Sequence, residues 1–152
     1  MMKVTYQINN GKIQATILNS MMVDVQSLRK GIEENGGKVL AIERNRRLDA
    51  LEAARLFCWK ADKIGLGDRL NGFWVSSGGG TFNVAAGEIA RETGSTFEES
   101  WEALKQAAQE FWGDDWGLLG QWPNGVNTPD PDEYALDVRD VVEMALGGVI
   151  YA

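Results

Sequence analysis

The apolar positions change period along the chain, and each change marks an element. Val4, Tyr6 and Ile8 alternate with polar neighbours, as do Ile13, Ala15 and Ile17, and Asn9-Asn10-Gly11 separates the two runs. Alternation places apolar side chains on one face of a strand. An Asn-Gly pair between two such runs signals a hairpin, because both residues tolerate positive φ. The pattern predicts a β-hairpin over residues 3–18. The period then lengthens: Met21, Val25, Leu28 and Ile32 share a helical face, predicting a helix over 21–35 with Ser20 or Asp24 as its cap and Gly36-Gly37 as its stop. Val39, Leu40 and Ile42 predict a third strand over 38–43. Residues 1–44 are expected to form a ββαβ unit, a small sheet with one helix over it.

Beyond the basic joint Asn45-Arg46-Arg47 the helical period dominates. Asp49 and Glu52 have the spacing of a capping box, opening a helix over 48–64. Its apolar residues Leu51, Leu56, Phe57, Cys58, Trp59 and Ile64 spread around most of the circumference, as in a centrally buried helix. Phe73-Trp74-Val75 reads as a short strand, 76–81 as a glycine-rich loop and 83–92 as a short helix ended by Gly94. Ser95 or Thr96 caps the next helix, with Thr96 and Glu99 in capping-box register; it runs through Trp112 with Phe97, Trp101, Leu104, Ala108 and Phe111 at near-ideal spacing. Residues 113–129 read as irregular. Asp130-Pro131-Asp132-Glu133 carries a cap, an N1 proline and an early acid, so it starts a last helix. That helix buries Tyr134, Val138, Val141, Val142 and Ala145. Gly147-Gly148 ends it, and Val149-Ile150-Tyr151 adds a final strand. The expected fold class is α+β: a single domain over 1–152 in which the 1–44 unit packs with a mainly helical, Trp-rich and acidic 45–152.

Composition changes the picture through what is missing and how charge is placed. The chain has 152 residues, 44% of them hydrophobic, enough for a core without covalent staples. It has one cysteine, which fits a reducing compartment, and no apolar run long enough to span a membrane. A cytoplasmic location in a bacterial cell is the expectation. There is no histidine, which removes the commonest general base and the commonest zinc ligand. We therefore expect no enzymatic activity, cofactor or metal. The formal net charge is −7. Residues 1–76 carry 12 Lys and Arg against 8 Asp and Glu, whereas residues 77–152 carry 3 against 14. Such asymmetry marks interaction surfaces as well as ordinary solubility.

Candidate chemistry is sparse. The loop Ser76-Ser77-Gly78-Gly79-Gly80-Thr81 has the glycines of a phosphate cradle but matches neither the Walker nor the Rossmann pattern, and a plain connector explains it. Ile89 to Thr96 followed by a helix superficially resembles a helix-turn-helix. The would-be recognition helix, however, exposes Glu98, Glu99, Glu102 and Glu110 against Lys105, so phosphates would repel it and no direct DNA binding is expected. Asp130 and Asp132 lack the Gly and Glu of a calcium loop and serve better as helix-start residues. Cys58 lies between Phe57 and Trp59 in a helix interior, the setting of a small apolar residue.

The acids of the second half are the remaining signal. Held on rigid helices, carboxylates can occupy a basic groove in place of nucleic-acid phosphates. Two solvated helix faces are the plainer explanation. A partner surface is expected to use Glu98, Glu99, Glu102, Asp114, Asp115, Asp132 and Asp137, with Trp116 and Trp122 as anchors. In general character (short, acidic, free of histidine, rich in Trp) the chain resembles small phage and mobile-element proteins that disable host defence, such as anti-CRISPR and anti-restriction proteins. That resemblance covers no motif and carries no residues over. It implies a non-catalytic inhibitor whose partner is a nucleic-acid-binding protein with a basic surface. The alternatives are an assembly module of a phage particle or cellular complex that self-associates as a homo-oligomer, and a small nucleotide- or phosphate-binding enzyme using the 76–81 loop.

Overall fold

The computed structural model describes residues 1–20, 22–63, 80–113 and 131–151, with the side chains at 80–82, 131–138 and 150–151 outside that description. The possible strand at 73–75, most of the 76–81 loop and all but the first residue of 113–129 therefore lie outside the described residues. The elements run β1 (Met2–Ile8), β2 (Ile13–Leu18), α1 (Val25–Glu34), β3 (Gly37–Arg44), α2 (Ala50–Lys63), α3 (Gly80–Thr93), α4 (Phe97–Trp112), α5 (Pro131–Leu146) and β4 (Ile150–Tyr151). The fold is α+β: an antiparallel β1-β2-β3 sheet with α1 between its second and third strands, followed by a mostly helical half.

The sheet order is β2-β1-β3-β4, with β4 parallel to β3. The final strand anticipated at 149–151 thus widens the sheet to four strands. The hairpin turn is built differently from the Asn-Gly expectation. The left-handed residues are Asn9 (φ 49°) and Asn10 (φ 57°), and the Gly11 amide donates to the Ile8 carbonyl at 2.8 Å. Asn tolerates this region because its short side chain bonds locally. The β1–β2 register pairs even positions with even and odd with odd, for example Val4 with Thr16 and Gln7 with Ile13. Ile13, Ala15 and Ile17 therefore share a face with Lys3, Thr5 and Gln7, opposite the face of Val4 and Tyr6 that packs into the core. A shift in the β1–β3 register between Thr5 and Tyr6 leaves Leu40 exposed while Ile42 is buried.

Asp24 caps α1, accepting from the Ser27 amide at 2.9 Å, and Val25, Leu28 and Ile32 face the core. Met21 lies outside the described residues. The first capping box forms in full, and the second forms in its Thr96 half, the Thr96 hydroxyl itself donating to Glu99 Oε1 at 3.0 Å. Asp49 Oδ1 accepts from the Glu52 amide at 2.8 Å while Glu52 Oε1 accepts from the Asp49 amide at 3.0 Å, and Thr96 Oγ1 accepts from the Glu99 amide at 3.1 Å. α2 is the central helix, packed against α3, α4 and α5 and burying Ala53, Ala54, Leu56, Phe57, Cys58, Lys60 and Ala61. Trp59 is its exception: it is 41% exposed, with the Lys63 ammonium 4.7 Å from its ring centroid. The buried face of α4 is rotated from the expected one. Ser100, Leu104, Ala107 and Ala108 are buried, Trp101 is half-buried, and Phe97 and Phe111 are exposed. Small residues on both α2 and α4 let the two helices approach closely. α5 buries Val141, Val142, Ala145 and Leu146; Tyr134 and Val138 have side chains outside the description.

Two glycines give a direct test of backbone demands. Gly36 ends α1 at φ +79°, and a Cβ there would meet Asn9 Oδ1 at 2.7 Å, whereas a Cβ on Gly31 inside α1 would meet nothing within 4 Å. Urea unfolding is expected to show Gly36→Ala destabilised by about 1–3 kcal/mol. Gly31→Ala is expected to be stabilised by up to about 1 kcal/mol, since it swaps the poorest ordinary helix former for the best.

Candidate functional site

The acidic residues of the second half separate into groups with different fates. Thr96 starts α4, and its box with Glu99 fixes the first turn, from which Glu98 and Glu99 project where the helix dipole favours negative charge. Glu102 follows one turn after Glu98 on the same side of the helix. All three are exposed, and none forms an ion pair with a described residue. Glu99 and Glu102 line an open cavity of about 680 Å³ together with Asp49, Ala50, Leu51, Ala103, Lys105, Gln106 and Gln109. Asp49 caps the start of α2, so packing of α2 against α4 adds a third carboxylate to the cavity.

Several other described acids are held by cations or partly buried, while Asp140 and Glu143 are exposed on α5 and form no ion pair with a described residue. Arg55 grips Glu110 with two bonds of 2.9 Å, and Gln106 donates to the same carboxylate at 3.2 Å. These bonds hold the Glu110 carboxyl far below its ordinary range, down to about 2. Glu52 is likewise drawn down to about 2, first by its bonds from Arg46 at 2.7 and 3.0 Å and then by the Asp49 amide. Glu88 pairs with Arg91 and, at 3.8 Å, with Arg139, bridging α3 and α5. Glu92 lies close enough to Glu143 and Glu88 to feel both, and its carboxyl is raised, by burial first and by Glu143 next. Arg47 donates to the Glu92 carbonyl at 2.9 Å.

Of the residues expected to form a partner surface, Glu98, Glu99 and Glu102 lie together on α4. Asp132 and Asp137 belong to α5, but their side chains are outside the description, and Asp114, Asp115, Trp116 and Trp122 lie outside the described residues. Asp140 and Glu143 are exposed on α5, which packs on α3 and α2. Asp49 was legible only as a helix-start residue, because its approach to α4 is a long-range contact with no local signature. Cys58 is fully buried, and burial pushes its thiol pKa up, so it offers no thiolate. Among the described residues no His, Cys, Asp or Glu group is arranged to hold a metal ion, and no helix is long and apolar enough to cross a membrane.

No protein-family model, curated protein or solved structure matches the chain.

The Arg55–Glu110 pair has a pH signature. A carboxyl depressed on folding contributes stability above its unfolded pKa, and that contribution disappears as pH falls through its folded value near 2. Carboxyl NMR titration is expected to place the Glu110 midpoint near 2 in the native chain. In Arg55→Ala the midpoint should rise toward the ordinary glutamate range; an unmoved midpoint would mean that Arg55 is not the cause.

Proposed function

We propose that this chain is a non-catalytic acidic binding protein whose α4 face occupies the basic groove of a nucleic-acid-binding protein, acting as an inhibitor of a host-defence complex in a bacterial cell. One observation carries the reading: Glu98, Glu99 and Glu102 project from the capped first turns of α4, the latter two lining one open cavity with Asp49, and no cation is paired to the three glutamates among the described residues. Carboxylates whose charge is already neutralised, such as Glu110 on Arg55, have little left to offer a partner. Unneutralised ones on a rigid helix lose little conformational entropy on binding. Their field steers a basic surface toward them and competes with the phosphates that such a groove normally holds. The net charge of −7 works in the same direction at long range.

The test is capture of proteins from a bacterial lysate by the immobilised full chain. The captured proteins are expected to be nucleic-acid-binding ones, released as salt rises from about 50 to 200 mM and equally released by excess duplex DNA. Glu98→Gln/Glu102→Gln is expected to weaken capture about tenfold while costing no more than about 1 kcal/mol of stability, the helix-dipole contribution of Glu98. Capture that is insensitive to salt, to DNA and to this double substitution would overturn the reading.

A further inference from the structure

Among the described residues, β2 has β1 as its only strand neighbour, so its outer backbone edge is unpaired. Exposed edges are normally blunted by charges, proline or bulges. β2, Ile13-Gln14-Ala15-Thr16-Ile17-Leu18, has none of these, and its pairing with β1 runs without a register shift. Two branched hydrophobes on its outward face are open to solvent, Ile13 at 64% and Ile17 at 51%. Such a strand is a template for another strand.

We propose that the occupant is a second copy of this chain: β2 pairs antiparallel with β2 across a two-fold axis at Ala15, joining both sheets into one. The sequence of the strand argues for itself as its own partner. Ile13 and Ile17 stand symmetrically about Ala15, with Gln14 and Thr16 between them. Setting Ala15 against Ala15 puts Ile13 opposite Ile17 of the second copy on the outer face, twice. It also puts Gln14 opposite Thr16 on the inner face, as an amide–hydroxyl pair. The Tyr6 hydroxyl already lies 3.4 Å from Gln14 Oε1 and 3.3 Å from Thr16 Oγ1, which orders both side chains for that role. A slip of one residue would set outer side chains against inner ones. The next allowed register leaves Ile13 beyond the end of the facing strand.

Charge selects the same joint. A chain of net charge −7 repels its own copies over most of its surface, but β2 is uncharged. Along the chain the nearest flanking charge is Lys12, while Lys3 of β1 lies beside Ile17 on the side away from the joint; antiparallel pairing places the two Lys12 residues at opposite ends, roughly 20 Å apart and beyond the screening length. A joint of six residues per copy buries less than the roughly 1,000 Å² of a stable interface, so the dimer is weak and concentration-dependent. This inference is independent of the acidic-face reading.

Analytical ultracentrifugation of the full chain from about 10 µM to 1 mM is expected to show a monomer–dimer equilibrium with a dissociation constant on the order of 100 µM. Ile13→Lys/Ile17→Lys faces lysines with lysines and should weaken the dimer at least about tenfold, as should Ile13→Glu/Ile17→Glu. Mixing the two variants should restore a heterodimer, because each lysine then meets a glutamate. Both positions are exposed, so circular dichroism should show an unchanged fold. Under mild oxidation Ala15→Cys should give a covalent dimer, since directly opposed Cα atoms lie within disulfide range, and Thr16→Cys should not; buried Cys58 does not compete. A monomer at all concentrations overturns the proposal. So do a dimer indifferent to the substitutions, a cross-link at Thr16→Cys instead of Ala15→Cys, or β2 amides protected from exchange only when a foreign protein is added.

Discussion

A buried carboxylate ties the N-terminal ββαβ unit to α2. Asp24 Oδ1 accepts the Ser27 amide that caps α1 and, also at 2.9 Å, the ammonium of Lys60 from the second half of α2. Both side chains are almost fully withdrawn from water, at 2% and 5% exposure. Burial by itself would disfavour the ionised carboxylate; the Ser27 amide and then Lys60 reverse that, and Asp24 ends below its ordinary pKa. The stabilisation linked to this shift is present above the ordinary carboxylate range and is lost as acid titrates the group in the folded state. An unpaired ion at that depth is costly, so the helix carrying Lys60 is constrained to a position where its ammonium meets the cap of α1. Such a pair contributes less to net stability than to fixing one arrangement over its alternatives.

With α2 fixed in this way, the remaining helices have a defined place to go. α2 is covered by α3, α4 and α5, and its buried alanines face helices that also present small residues. α5 reaches back to α1 and delivers β4 to the edge of β3, while Arg29 of α1 donates to the Gly148 carbonyl at 3.3 Å. The acids then sort by what lies near them. Glu110 and Glu88 are paired with arginines of α2, α3 and α5, whereas Glu98, Glu99 and Glu102 form no ion pair with a described residue. Lys105 lines the same cavity as Glu99 and Glu102 and lies 5.4 Å from the Trp101 ring. The candidate surface is the part of the unpaired set that α4 holds together.

Local signals were legible in the sequence where the physics is local. The hairpin strands, the Asp49–Glu52 box and the Thr96 cap were readable because the residues that make them lie close together along the chain, and Asp24 was one of two candidate caps for α1. Helix periods were readable too, but the direction of a helix face depends on distant partners. Hence Phe97 and Phe111 of α4 are exposed while Ser100 and Ala107 are buried. The same limit explains β2, where alternation located the strand but register alone decided that Ile13 and Ile17 face outward. Lys60 gave no signal, since a lysine in an apolar helix reads as a surface residue until its buried partner is known. The acid-rich character of the second half was plain from composition. Its division into neutralised and open carboxylates was not, because Arg55, which grips Glu110, lies on α2, far away along the chain.

A double-mutant cycle on the buried pair is the most direct test of the constraint that holds these layers together. Urea unfolding would be measured for the native chain, Lys60→Met, Asp24→Asn and the double substitution, with asparagine retaining the helix cap. Lys60→Met is expected to cost about 3–5 kcal/mol by stranding the carboxylate, and the double variant clearly less than the sum of the single ones. Strict additivity, or a Lys60→Met chain as stable as the native one, would contradict the role assigned to Asp24 and Lys60.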